Sequence, residues 1–284
     1  MFSAIKQVRA AFSLLNPDEV RKRAGRAVSV GLVAADDRGY RELEEFLVPV
    51  SLPREARSEL LKSVYRAGDS HAPPQVDFVL YGHGLPWPGG AIPYHSEDEA
   101  STISEILKTH EDLSLALARQ YPVFRKPVVE GIVHAVSREN ALFAVASALP
   151  NVVPNLFELP WTFGEFASDT IFLTLNQLRM ALLIAAASGA EVGFARQKAE
   201  MISIAAGAFG WRAIARELAG KIPLGGGLIP KGAIAFAVTF AIGKGLEHLH
   251  HANVPYTAEQ HNEVYRQAFE RGKTVAESLA KQVS

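Results

Sequence analysis

Four polar residues share one narrow sector of an otherwise apolar stretch: Glu165, Asp169, Asn176 and Arg179 are separated by four, seven and three residues. Those steps nearly complete whole helical turns, so a helix would stack all four on one side. Two carboxylates with an amide and a guanidinium could perform acid-base or metal chemistry on a small ligand. The same helix carries Phe166, Ile171, Phe172, Leu173, Leu175, Leu178, Leu182 and Leu183 around the rest of its circumference. A helix apolar almost all round is buried, and buried polar groups must find partners on neighbouring helices. The face is therefore expected to be a candidate buried polar network, with Arg179 paired to Glu200 or Glu217. A small-ligand enzyme built on this face is the open alternative.

Other chemistry-bearing patterns are weaker. The segment from Val28 to Val33 is a β-rich run leading into Ala34-Ala35-Asp36-Asp37-Arg38-Gly39-Tyr40, the position of a phosphate loop. A phosphate loop needs backbone N–H groups, a lysine and a magnesium-binding hydroxyl, whereas Asp36 and Asp37 would repel phosphate. Gly225-Gly226-Gly227 with Lys231 has the wrong order for the same motif, and Pro230 just inside a helix start fits a hairpin turn better. His248 and His251, with Glu247 adjacent, could begin a metal site, but one helix face seldom completes a coordination shell. No Gly-x-Ser-x-Gly and no HExxH occur. No catalytic, cofactor-binding or metal residue is assigned, and no cofactor is expected.

The elements that must position these residues follow from composition and punctuation. The chain has 284 residues, 48% of them hydrophobic, enough for one large domain or two ordinary ones. A net charge of −1 offers no global attraction to nucleic acid, and nucleic acid is not expected as a partner. The absence of cysteine removes disulfides and thiolate sites and fits a reducing compartment. Lys6 and Arg9 interrupt the amphipathic N-terminus, which is read as mature protein.

Asn16-Pro17 predicts a helix start, Val28–Val33 and Val76–Tyr81 predict strands, and helices are expected over Tyr40–Leu47 and Pro53–Tyr65. Ser96 with Glu99 makes a capping box for a helix running to about Gln120. Pro127 to Pro150 predicts another helix, and Thr257 with Gln260 caps an amphipathic C-terminal one. The expected fold is mainly α: a small α/β unit over residues 1–125, then an all-α helical domain over 126–284.

The second half is dominated by alanine- and glycine-rich helices. Ala233, Ala237, Ala241 and Gly245 form a small-residue row that lets two helices pack closely, with the hairpin turning at the triglycine. Between Lys231 and Lys244 lie twelve uncharged residues, short of the ~20 that a spanning helix needs. Whether residues 222–243 insert in a membrane stays open at this level.

The segment Ser147-Ala148-Leu149-Pro150, then Val153-Pro154 and the run from Gly225 to Gly227 through Pro230 to Thr239–Gly243, resembles the YcjF-type domain of unknown function. In bacteria that domain often follows an Era-like GTPase domain. The resemblance covers roughly the C-terminal half and implies no catalytic residue. It also implies that the strand-loop-helix at Val28 to Leu47 and the strand Val76 to Tyr81 are what remains of a degenerate, P-loop GTPase-like unit. That unit has no GK[ST], no DxxG and no NKxD. The implied role is a non-catalytic, GTPase-associated interaction module. Its partner would be a separate GTPase or a second copy, in the cytoplasm or at the cytoplasmic face of the bacterial inner membrane.

Overall fold

A computed structural model describes residues 15–82, 85–86, 89–148, 169–204 and 227–283. The elements run α1 (Pro17–Ala24), β1 (Val30–Val33), α2 (Asp37–Leu47), α3 (Arg54–Leu61), β2 (Val64–Arg66), β3 (Phe78–Tyr81), β4 (Ile92–Pro93), α4 (Glu99–Thr109) and α5 (Ser114–Gln120). Four long helices follow: α6 (Arg125–Ala146), α7 (Asp169–Ala187), α8 (Leu228–Ala252) and α9 (Ala258–Val283). A further helix begins at residue 198. The chain is thus mainly α, a small α/β unit followed by a helical domain. One compact unit comprises Glu19–Val129 with Ala186–Ala190, and the other takes in Glu130–Ala185 and Glu191–Ser284.

The α/β unit is built on a four-stranded parallel sheet in the order β2-β1-β3-β4. Val28, just before β1, and Val30 and Leu32 within it are fully buried on one face, while the alternate residues Gly31 and Val33 are half-buried. Gly31, in the middle of β1, has no room for a side chain: a Cβ there would stand 3.2 Å from methyl groups of both Val76 and Val79. The start of the sheet is clamped by side chains. Gln120 exchanges two 2.9 Å hydrogen bonds with the Val28 backbone, and the Tyr121 hydroxyl donates to the Val28 carbonyl at 3.0 Å. Asp77 accepts from the Ser29 backbone and hydroxyl and pairs with Arg26.

Two local expectations are corrected, and one short strand is added to them. The helix from Pro53 stops at Leu61, and Val64–Arg66 is a strand pairing with Val30–Leu32, because β-formers beside an open sheet edge gain a ladder that outweighs a weak helical pattern. β4, two residues long, hides in a glycine- and proline-rich loop, its Pro93 sitting in an edge strand where a missing donor costs little. Asp98, not Ser96, caps α4, accepting from Ser101 N at 3.1 Å, and that helix ends at Thr109 rather than near Gln120. Glu99 instead accepts from the Tyr94 hydroxyl at 3.2 Å.

In the helical unit α8 lies at the centre. None of its residues from 228 to 250 is exposed, and Ala233, Ala237 and Ala241 are fully buried. Gly245, the fourth member of the row, is half-buried, and a Cβ there would stand 2.9 Å from the His261 ring. The close approaches are made at glycines. A Cβ on Gly243 would fall 2.7 Å from Val133 of α6 and 3.1 Å from the Met180 sulfur of α7. On Gly232 it would fall 2.6 Å from Val145 of α6 and 2.9 Å from Ala276 of α9. α9 brings its own small row, Ala268, Gly272 and Ala276, all buried. Its start is the expected capping box, with Thr257 N donating to Gln260 Oε1 at 2.8 Å and Gln260 N to Thr257 Oγ1 at 3.3 Å. Of the triglycine only Gly227 is described, at the N-cap position of α8; Gly225 and Gly226 lie outside the described residues.

Two histidines of this unit couple its stability to pH. Burial lowers the pKa of His261, and burial together with the neighbouring Arg271 and Lys244 lowers that of His134 against the opposing pull of Glu130. Each imidazole therefore binds its proton more readily in the unfolded chain. The folded state loses stability as pH falls below the free-imidazole value of about 6.5, until the depressed folded values are passed. The urea midpoint of this unit should fall between about pH 7 and about pH 5.5, and the double variant H134Q/H261Q should flatten that slope. An unchanged slope in the double variant would assign the effect to other groups.

Candidate functional site

Two places gather functional side chains, one in each unit. In the α/β unit it is the C-terminal end of β1. In a doubly wound parallel sheet ligands sit outside the carboxyl ends of the strands, where successive connections leave in opposite directions, here between β1 and β3. A phosphate in such a site would lie on the N-terminus of the following helix. In this chain that place is filled from within: Asp36 is the N-cap of α2 and its Oδ1 accepts from Gly39 N at 2.8 Å. The carboxylate satisfies the donor and the positive end of the helix dipole that an anion would otherwise use. Gly39 fits because a Cβ there would lie 3.0 Å from Ala34.

Beside it, Arg66 at the end of β2 donates to Glu44 at 2.7 Å and pairs with Asp37 at 3.3 Å, with Tyr40 5.1 Å below its guanidinium. The Glu44 hydrogen bond pushes the Arg66 pKa up, reinforced by the charges of Glu44 and Asp37. The ladder between β1 and β3 runs one residue further, Gly82 N donating to Val33 O at 2.9 Å.

In the helical unit the polar face of α7 joins residues of α6 and α8. Asn176 is fully buried; its Nδ2 donates to Glu139 Oε2 at 2.9 Å and to Asn140 Oδ1 at 3.0 Å, while its Oδ1 accepts from Arg179 Nε at 2.9 Å. Asn140, also fully buried, donates to Thr239 Oγ1 at 2.8 Å and to the Leu173 carbonyl at 3.3 Å. Gln177 Nε2 reaches the same Thr239 oxygen at 3.1 Å. Both Asn176 N–H bonds and both Asn140 N–H bonds are committed to protein acceptors, so these amides have no donor left for a substrate.

The partner expected for Arg179 is corrected. Arg179 ion-pairs with Glu139 of α6 at 2.5 Å. Glu200 faces His250 Nε2 instead, 3.5 Å away, and Glu217 lies outside the described residues. Glu139 was hidden because it stands on a helix whose apolar residues alone are visible as a pattern, whereas the acceptor had to come from that helix. Arg179 is about a fifth exposed rather than sealed. Glu165 lies outside the described residues, and of Asp169 only its place as the first residue of α7 is described. Asn140, Gln177 and Thr239 were also missed. The available signal was Thr239, a hydroxyl inside an otherwise apolar run, which needs a partner once buried.

The histidines at the end of α8 do not converge. His248 stacks on Tyr256, with centroids 4.5 Å apart, and His250 turns to Glu200. Among the described residues no three histidine or carboxylate side chains come together to hold a metal. Compared with known proteins, the chain matches no family model, no curated protein and no solved structure.

Proposed function

We propose that this chain is a non-catalytic interaction protein: a nucleotide-free, GTPase-like α/β unit joined to a helical domain of YcjF type. It would serve as partner to a separate GTPase, or to a second copy of itself, at the cytoplasmic face of a membrane. The observation that carries the nucleotide-free part is the Asp36 cap, since a carboxylate bound to Gly39 N occupies the anion position of the β1–α2 turn and Asp37 adds a second negative charge beside it. Bringing a phosphate there would require breaking that cap against like-charge repulsion. The resemblance of the segment from Ser147 to Gly243 supports the helical half and the association with a GTPase and a membrane.

α8 is long and apolar enough to cross a bilayer, yet 56% of its most apolar stretch is buried among its own neighbours, α6, α7 and α9. That enclosure favours a peripheral contact over a spanning one. The small-ligand reading of the Glu165, Asp169, Asn176 and Arg179 face is not favoured, because Asn176 and Arg179 are consumed by bonds to Glu139 and Asn140.

Magnesium GTP and magnesium ATP should leave the melting temperature unchanged. A ligand at 100 times its dissociation constant adds ~2.7 kcal/mol, several degrees for a unit of this size, so a saturable rise of that order would overturn the proposal. Flotation with vesicles followed by a salt wash tests the membrane part separately.

A further inference from the structure

A groove of about 430 Å³ opens between α6, α8 and α9, and neither the polar network nor the Asp36 turn takes part in it. Its apolar lining includes Phe240 from α8 and Val264 from α9; its polar lining is His134 and Glu130 from α6, Lys244 from α8 and Gln267 and Arg271 from α9. The His134 ring stands edge-on to Phe240, centroids 5.1 Å apart at 65°, which fixes the imidazole at the groove wall. Lys244 is held in place by Glu247 and, at 3.8 Å, by Glu130. Arg271 is different. It is exposed and, among the described residues, forms no hydrogen bond and no ion pair, although cationic partners elsewhere on α9 such as Arg266 and Lys273 are paired within their own helix.

From this arrangement we propose that the groove is a binding site for a phosphate-type oxyanion attached to a short apolar group, the oxyanion lying between Arg271 and His134 and the apolar part over Phe240 and Val264. The chemistry matches. A guanidinium with unused donors presents a planar fork to two oxyanion oxygens, and a neighbouring imidazole supplies a further N–H. The cations of the groove are used unequally: Lys244 pairs with Glu247 and with Glu130, the one carboxylate of the lining, while Arg271 forms no ion pair among the described residues. The same asymmetry is felt by His134, whose proton is disfavoured by burial first and by Arg271 next. An oxyanion placed between them would cancel that repulsion and raise the His134 pKa. The charged groups around His134 are Glu130 on its own helix, Lys244 on α8 and Arg271 on α9, so the sign of the change is set by those three and the ligand.

Such an oxyanion could be a free phosphate compound or the headgroup of an anionic lipid, and the test separates them. The His134 imidazole resonances are followed by NMR during titration of the full chain with inorganic phosphate and with glycerol phosphate, and flotation compares phosphatidylglycerol–phosphatidylcholine vesicles with phosphatidylcholine alone. R271Q is the test variant, since Arg271 is exposed and unpaired; R266Q, on the same helix, is the control for bulk charge. Saturable shifts of His134, an upward move of its pKa, and roughly tenfold weakening in R271Q but not in R266Q would establish the site for a soluble ligand. Vesicle binding that needs phosphatidylglycerol and is lost in R271Q alone, without a response to free phosphate, would establish it for a lipid. Absence of both responses, or equal weakening by R271Q and R266Q, would overturn the proposal. Phosphate binding without any vesicle affinity would leave this site standing while counting against the membrane part of the proposed function, so the two can fail separately.

Discussion

Replacing Gly272 by Ala should destabilise the helical unit, although the same change in a helix ordinarily stabilises it. Alanine is favoured over glycine in a helix interior by about 1 kcal/mol. At position 272 a Cβ would meet only backbone: the Ala233 carbonyl oxygen at 2.8 Å, its Cα at 3.1 Å and its carbonyl carbon at 3.3 Å. No side-chain rotation relieves such a contact, so α8 and α9 must move apart. That would loosen the neighbouring approach of Gly232 to Ala276, where a Cβ on Gly232 already falls 2.9 Å from the alanine methyl. Overpacking of this kind costs about 1–3 kcal/mol, and after the gain in propensity a net loss of up to about 2 kcal/mol remains. Gly131 of α6 is the matched control, because nothing lies within 4 Å of a Cβ built there and the position is exposed. Gly131→Ala should raise stability by about 0.5–1 kcal/mol in the same urea titration. Equal effects of the two substitutions would mean that α8 and α9 do not touch along their small residues.

The contrast between these two glycines shows where the sequence is legible. A row of alanines on α8 announces a close contact, since small residues at four-residue spacing have little other use in a long apolar helix. The complementary row on α9 is harder to read as a close contact, because Ala268 and Ala276 fall within one amphipathic apolar pattern with the larger Tyr265, Phe269 and Leu279, and Gly272 stands outside that pattern. Strands β1 and β3 could be read from their valines and aromatics. β2 could not, because three residues that pair with Val30–Leu32 take their conformation from the sheet edge and not from their own neighbours in the chain. The same limit applies to the polar network. Asn176 and Arg179 could be placed on one face by counting turns, but the partner helix is chosen by tertiary packing, and that selected Glu139 and Asn140 over Glu200.

Asn140 and Asn176 should behave as one unit when changed to leucine, a side chain with the same branching at Cγ. Asn176→Leu leaves the fully buried Asn140 Oδ1 without its donor and removes the acceptor of Arg179 Nε, a loss of about 2–6 kcal/mol when each stranded group costs about 1–3 kcal/mol. Asn140→Leu strands less. One Asn176 N–H loses its acceptor while the other keeps Glu139, and Thr239 Oγ1 keeps Gln177, so a loss of about 1–3 kcal/mol is expected, arising from that N–H and from the bonds to Thr239 and Leu173. In the double variant the Asn140 oxygen no longer exists to be stranded. The two losses should therefore fall short of adding by about 1–3 kcal/mol, a coupling that only direct contact produces. Strict additivity would mean that the amides do not meet. If both single changes cost less than about 0.5 kcal/mol, as substitutions of solvated residues do, the α7 face would be open to water and free to take a ligand. That outcome would restore the small-ligand reading that the bonds to Glu139 and Asn140 now argue against.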